Sequence, residues 1–217
     1  LKAARMQLAL RTLLDPFRPQ WERVPEEVVP LMGTPLHLQP TRYIRATWAD
    51  RPYGVVRTVQ VRVAFSSSHI FFRLQWPDAQ PHMDYGDGTV FPDAAAVLFP
   101  INGDAPLLTM GSPEAPVNAW YWRADLSRPQ NLVAHGLGTV AEAEGPELWA
   151  HATWRDGRWS LVLARALGDG GPTAVTLVPG MVVKVAFAVW EGGNQERAGI
   201  KSFSGIWREL EIGQGRG

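Results

Sequence analysis

The sequence predicts an all-β fold, a β-sandwich entered through a short N-terminal helix and an extended arm. Three observations carry this. Apolar residues alternate with a period of two through much of the stretch from about residue 41 to 212, the spacing of half-buried strands. The 21 Gly and 18 Pro spread turns along the chain and leave little room for long helix. Asp156-Gly157, set between two apolar-rich runs, is a strong two-residue hairpin signal.

The elements follow in order. Met6, Ala9, Leu10, Leu13 and Leu14 share a helical face, which predicts a helix within residues 1–15, stopped by Asp15-Pro16. Residues 16–40 hold six prolines and read as an extended arm, wrapped on its own domain or laid on a partner. Val59, Val61, Val63 and Phe65, then Ile70, Phe72, Leu74 and Trp76, form a hairpin across Ser66-Ser67-Ser68. Phe91–Pro100 and Val117–Ala124 are the next strands. Trp149–Arg155 and Arg158–Leu167 flank the Asp-Gly turn. Met181–Glu191 is apolar almost throughout, as expected of a central strand covered on both faces. Ser202–Ile212 closes the domain. The organisation is thus an arm over 1–40, a sandwich over 41–212 and a tail over 213–217.

Composition narrows the function. The formal net charge is zero and no basic run occurs, which argues against nucleic acid and acidic membrane surfaces as partners. Zero net charge mildly favours a subunit of a complex. The absence of cysteine removes disulfides, thiolate zinc sites, cysteine-held iron–sulfur clusters and covalently attached c-type haem. No apolar stretch is long enough to span a bilayer. A first residue of Leu1 suggests a processed or trimmed chain.

Several patterns offer candidate chemistry. Gly136-Leu137-Gly138-Thr139-Val140-Ala141 matches a dinucleotide fingerprint but lacks the surrounding βαβ unit. Asp78, Asp84, Asp87 and Asp93 offer hard oxygen ligands for calcium, without EF-hand spacing, and equally serve as turn residues. His37, His69, His82, His135 and His151 form no short metal-binding spacing. Glu142, Glu144 and Glu147 read as a polar loop. No nucleophile elbow is present. The ten Trp fit core packing, a sugar-stacking platform or an aromatic cofactor pocket.

Met110 and Lys201 are the two residues with an unused capability. A thioether and a neutral amine can both ligate iron. The chain has 18 Arg but only Lys2, Lys184 and Lys201, and only lysine can lose its proton to offer a lone pair. Ordinarily a loop lysine is a solvated cation.

Three segments, FPDAAAVLFP (91–100), TMGSPEAPVNAWYWRAD (109–125) and ERAGIKSFSGIW with RELEI (196–212), resemble the haem b-binding γ subunit of type II enzymes of the dimethyl sulfoxide reductase family. The resemblance implies a sandwich like that of some carbohydrate-binding modules. It implies one non-covalent haem b at one end, with Met110 and Lys201 as axial ligands; on the residues alone, one of the five histidines is the rival to Lys201. It further implies a periplasmic heterotrimer with a molybdenum-cofactor subunit and an iron–sulfur subunit, exchanging electrons with a soluble c-type cytochrome. On this reading Gly199 lets the backbone approach the ring, and Pro113 and Pro116 stiffen the Met110 loop. Val117, Trp120 and Trp122 supply wall, and Arg123 or Arg197 meets a propionate. The alternative is a Trp-rich sandwich module binding carbohydrate or a protein partner.

Overall fold

A computed structural model describes residues 1–214; the tail expected over 213–217 lies outside the described residues from 215 on. The chain is mostly strand. Its strands are β1 (Lys2–Arg5), β2 (Glu26–Pro30), β3 (Met32–Gly33), β4 (Thr58–Phe65), β5 (His69–Pro77), β6 (Ala94–Pro100) and β7 (Val117–Arg123), followed by β8 (Gln130–Ala134), β9 (Ala141–Glu142), β10 (Leu148–Arg155), β11 (Arg158–Ala166), β12 (Val182–Trp190), β13 (Ser202–Phe203) and β14 (Arg208–Ile212). Two α-helices, α1 (Leu10–Leu14) and α2 (Arg42–Trp48), complete it with a few single 3₁₀ turns.

The strands form one path, β10-β11-β5-β4-β1-β14-β12-β6-β7-β8-β9. This path folds back on itself, so that its two halves face each other as a sandwich. Val61, Val63, Phe72 and Leu74 of one half and Val97, Phe99, Trp120 and Phe187 of the other share a single core. Phe72 meets Trp120 edge-on with centroids 5.5 Å apart, and Trp122 meets Trp159 at 5.0 Å. Most of the ten Trp are therefore packing residues, and none is among the exposed large side chains.

The expected strands from 58 onward are present except that Ser202–Ile212 is broken into β13 and β14, and Asp156 (φ 53°) and Gly157 (φ 74°) make the left-handed turn of the β10–β11 hairpin. As expected, β12 is covered on both faces: Val185, Phe187 and Val189 enter the sandwich core, while Ala186, Ala188 and Trp190 belong to a second apolar cluster on the other side. Two short strands, β8 and β9, were not expected. They extend the edge beyond β7.

The N-terminal reading needs correction. Helix forms only over Leu10–Leu14, and residues 2–5 are a strand running parallel to both β4 and β14. That strand joins the two halves, and ladder hydrogen bonds on both of its edges outweigh a weak local helical pattern. Helix α2 also went unread; Thr41 caps it, its hydroxyl accepting from Ile44 N at 3.1 Å. The proline-rich arm is woven into its own domain: β2 pairs with β4 and β3 with β13. It thereby brings residues 34–44 across the outer face of the β6-β7-β8-β12 half.

Candidate cofactor site

A cavity of about 550 Å³ lies on that outer face, within the range of about 300–1,000 Å³ typical of cofactor pockets. Its floor follows from strand parity. On β6, Ala94, Ala96 and Leu98 point outward while Ala95, Val97 and Phe99 point into the sandwich core. On β7, Ala119, Tyr121 and Arg123 point outward while Trp120 and Trp122 point inward. Alanines at 94, 96 and 119 leave a shallow flat floor where larger residues would fill the space. Loops carrying residues 34–44, 107–110 and 196–201 rise around it.

Met110 and Lys201 both line this cavity, although 91 positions separate them in the sequence. Lys201 stands immediately before β13, and its carbonyl accepts from Thr34 N at 3.1 Å. The side chain is buried. Lys2 pairs with Glu211 and Lys184 with Asp104, both in exposed positions. Among the described residues Lys201 has no such partner; its ammonium lies 5.3 Å from the Trp190 ring. Burial pulls the amine down from the ordinary lysine range to about 8.

The loops presenting the pair are held in uncommon backbone geometry. Met110 itself has φ 56°, and Ala198, three residues before Lys201, has φ 52°. Left-handed backbone at non-glycine residues carries strain and clusters at ligand clamps. The Met110 turn is pinned by Met110 N to Leu107 O (3.0 Å), Gly111 N to Pro106 O (2.8 Å) and Gly136 N to Met110 O (3.0 Å). The glycine-rich 136–141 segment is thus a loop bracing Met110, not the start of a nucleotide-binding helix. The Lys201 loop is pinned by Trp190 Nε1 donating to Ala198 O at 3.0 Å. Buried Glu196 supports it, accepting from Val55 N at 3.1 Å and Glu191 N at 3.2 Å.

Other expectations fall differently. Trp120 and Trp122 belong to the sandwich core and Val117 packs beside the floor, so none of the three lines the cavity; Trp190 is the tryptophan that does. The cavity lies over a sheet face and not at the end of the sandwich. Gly199 serves a neighbour inside the protein: a Cβ there would stand 2.1 Å from Gln39 Oε1, and the Gly199 carbonyl accepts from Thr34 Oγ1 at 2.6 Å and Gln39 Nε2 at 3.0 Å. Arg123 and Arg197 both line the cavity. Arg123 is ion-paired with Asp125 at 2.5 Å, whereas Arg197 stacks 4.0 Å over Phe91 with no acidic partner among the described residues.

None of the five histidines lines the cavity. The four aspartates of the 78–93 stretch do not converge either: Asp84 and Asp87 are exposed and accept from their own turns, at Gly86 N and Thr89 N, whereas Asp78 and Asp93 are buried. The alanine floor and the arm residues Thr34 and Gln39 were missed from the sequence. The run Ala94-Ala95-Ala96 in a strand, small on both faces, was the available signal for the first. Nothing local signalled the second.

An apolar slot with a neutralisable amine, a thioether and a cationic rim fits a flat, acid-bearing metal macrocycle. The residues present therefore suit a haem.

Known proteins resemble this chain in sequence and in fold. The ethylbenzene dehydrogenase family matches residues 18–145 and 137–202. A Haloferax mediterranei protein named as a respiratory nitrate reductase haem subunit is 34% identical over 202 residues, covering 93% of this chain and 69% of that protein. The chlorate reductase subunit gamma of Ideonella dechloratans is 37% identical over 68% of this chain and 62% of its own length. The dimethylsulfide dehydrogenase subunit gamma of Rhodovulum sulfidophilum is 30% identical over 91% of this chain and 75% of its own. Among solved structures, a family 9 carbohydrate-binding module from Caldicellulosiruptor kristjanssonii, in complex with cellotriose, aligns over the whole chain with a TM-score of 0.56 at 8% identity. That likeness is one of fold.

Proposed function

The chain belongs to the ethylbenzene dehydrogenase family, and on that premise we propose that it is the electron-transfer γ subunit of a molybdenum oxidoreductase, holding one non-covalent haem b between Met110 and Lys201. A haem bound there would supply one-electron transfer chemistry, and Met110 and Lys201 are the residues that would hold its iron. The observation that carries this reading is the Lys201 amine, buried without an ion pair among the described residues on an apolar cavity that a thioether also faces.

Each residue then has a task. Lys201, already depressed towards neutrality by burial, offers its lone pair at small proton cost. Met110 would offer a soft sulfur, a ligand type that raises a haem potential. Ala94, Ala96 and Ala119 leave space for a planar ring against the sheet. Arg197, without an acidic partner among the described residues, receives a carboxylate at the rim. Arg123 is already committed to Asp125.

The subunit works in a periplasmic complex with a molybdenum-cofactor catalytic subunit and an iron–sulfur subunit, relaying electrons to or from a soluble c-type cytochrome. The rival reading, a Trp-rich module for carbohydrate or protein, draws support from fold likeness alone, which does not transfer function, and no tryptophan is exposed to serve as a sugar platform.

A visible spectrum of the dithionite-reduced protein tests the proposal. The expected result is a sharp low-spin b-type Soret and α band at one haem per chain. A protein that stays colourless after incubation with haemin sinks it.

A further inference from the structure

A second site lies behind the cavity wall, where the β5–β6 loop meets the start of β6 and the end of β12. His82 Nδ1 stands 4.0 Å from Asp93 Oδ1 and 3.8 Å from Glu191 Oε1. Donor atoms of these three residues all lie within 4.8 Å of one another. Around a tetrahedral ion with bonds of about 2.1 Å, donors sit about 3.4 Å apart. The two histidine–carboxylate separations, 4.0 and 3.8 Å, stand close to that spacing, and the two carboxylate donors lie within 4.8 Å of each other.

The groups are held in place by their surroundings. Asp93 is fully buried; its Oδ1 accepts from Gly192 N at 2.9 Å, and its Oδ2 accepts from His82 N at 2.7 Å and Trp159 Nε1 at 3.0 Å. Glu191 Oε1 accepts from Gly193 N at 3.0 Å. Gly193 admits the imidazole: a Cβ there would stand 2.4 Å from His82 Cε1. Such outer hydrogen bonds orient metal ligands.

Two unpartnered polar atoms point to something more than a hydrogen-bonded corner. His82 Nδ1, facing both carboxylates, is buried with no hydrogen-bond partner. So is Oδ2 of Asp78, a residue only 4% exposed whose carboxyl group lies against Asp93. Asp78 and Glu191 both stand close enough to Asp93 for their charges to repel in a largely buried corner. Among the described residues no arginine or lysine is ion-paired with any of the three carboxylates. Buried like charges of this kind are expensive unless protonated or matched by a cation.

We propose that His82, Asp93 and Glu191 bind one divalent transition-metal cation, best matched by zinc, which ties the β5–β6 loop to β6 and β12. One imidazole and two carboxylates neutralise a dication and suit zinc or manganese; calcium prefers six or more oxygens. A water on the ion supplies the donor that Asp78 Oδ2 lacks. The ligands lie 11 and 98 residues apart in sequence, which is why no motif marks them.

The test uses the full chain with its haem, dialysed against EDTA, which leaves haem iron in place. Calorimetric titration with zinc chloride should show one equivalent bound, and metal analysis before dialysis should find the same ion. His82→Gln should weaken zinc binding by about 100-fold or more, and the near-isosteric Glu191→Gln, a guard against misfolding of the first variant, by a similar factor. His135→Gln, on an exposed loop elsewhere, should bind as the parent does. The proposal is overturned if neither zinc nor manganese binds stoichiometrically at micromolar protein, or if both site variants bind as the parent. Calcium preferred over zinc and indifferent to His82→Gln also overturns it. Because the readout is zinc, the outcome is independent of whether haem is held by Met110 and Lys201.

Discussion

Lys201 combines two properties that seldom coincide in a lysine, burial and, among the described residues, the absence of an ion pair. A protonated amine there costs solvation, so the site favours the form that can ligate. Lys201→Ala should convert a low-spin haem spectrum to high-spin or yield haem-poor protein, read directly in the Soret region. The pH dependence has a definite sign. Protons compete with iron for the amine below its value of about 8. Haem affinity should therefore fall towards tenfold per pH unit as pH drops from about 8 to 6, and level off above 8. Titrating haem-free protein at each pH measures this. A flat profile would remove Lys201 from the coordination. The scarcity of lysine marked this residue in the sequence, but its burial depends on the arm and on the 196–201 loop, which no local pattern displays.

The strand register makes the cavity. Alternation along β6 and β7 sends Val97, Phe99, Trp120 and Trp122 inward and Ala94, Ala96 and Ala119 outward, so sandwich and slot are opposite faces of the same strands. Ala96→Leu should keep the fold and its melting temperature to within a few degrees while reducing haem occupancy by about tenfold, because the added branch lies on the cavity side. Circular dichroism with the haem-to-protein absorbance ratio separates the two effects. At the other hairpin, Gly157→Ala places a Cβ on left-handed backbone (φ 74°) and should cost about 1 kcal/mol in urea unfolding. The period-two patterns and the Asp-Gly turn made these strands readable in advance. The same patterns could not say which face of β7 lines the cavity: Trp120 and Trp122 look like pocket wall until the register turns them inward.

Taken whole, the molecule is one folded-over sheet whose halves share a core centred on Phe72, Phe99, Trp120 and Phe187. Trp120→Ala should cost about 3–5 kcal/mol and lower the melting temperature by roughly 10 °C. Since both halves lean on it, they should unfold in a single transition seen alike by near- and far-UV circular dichroism. Separate transitions would mean that the halves are independent units. The all-β class, the main strands and the family were legible in the sequence because alternation, turn chemistry and short motifs are local and survive without a partner strand. Strand β1, helix α2 and the weaving of the arm were not, because short segments take their conformation from the edges they meet. So it is with the sites. Met110 and Lys201 could be named from chemistry and resemblance, but their place on a shared cavity, the alanine floor beneath it and the meeting of His82 with Asp93 and Glu191 arise from long-range strand pairing. Composition and periodicity settle what each segment can be; which distant side chains face one another is set by packing, since contacts across a sandwich join residues that share nothing in sequence.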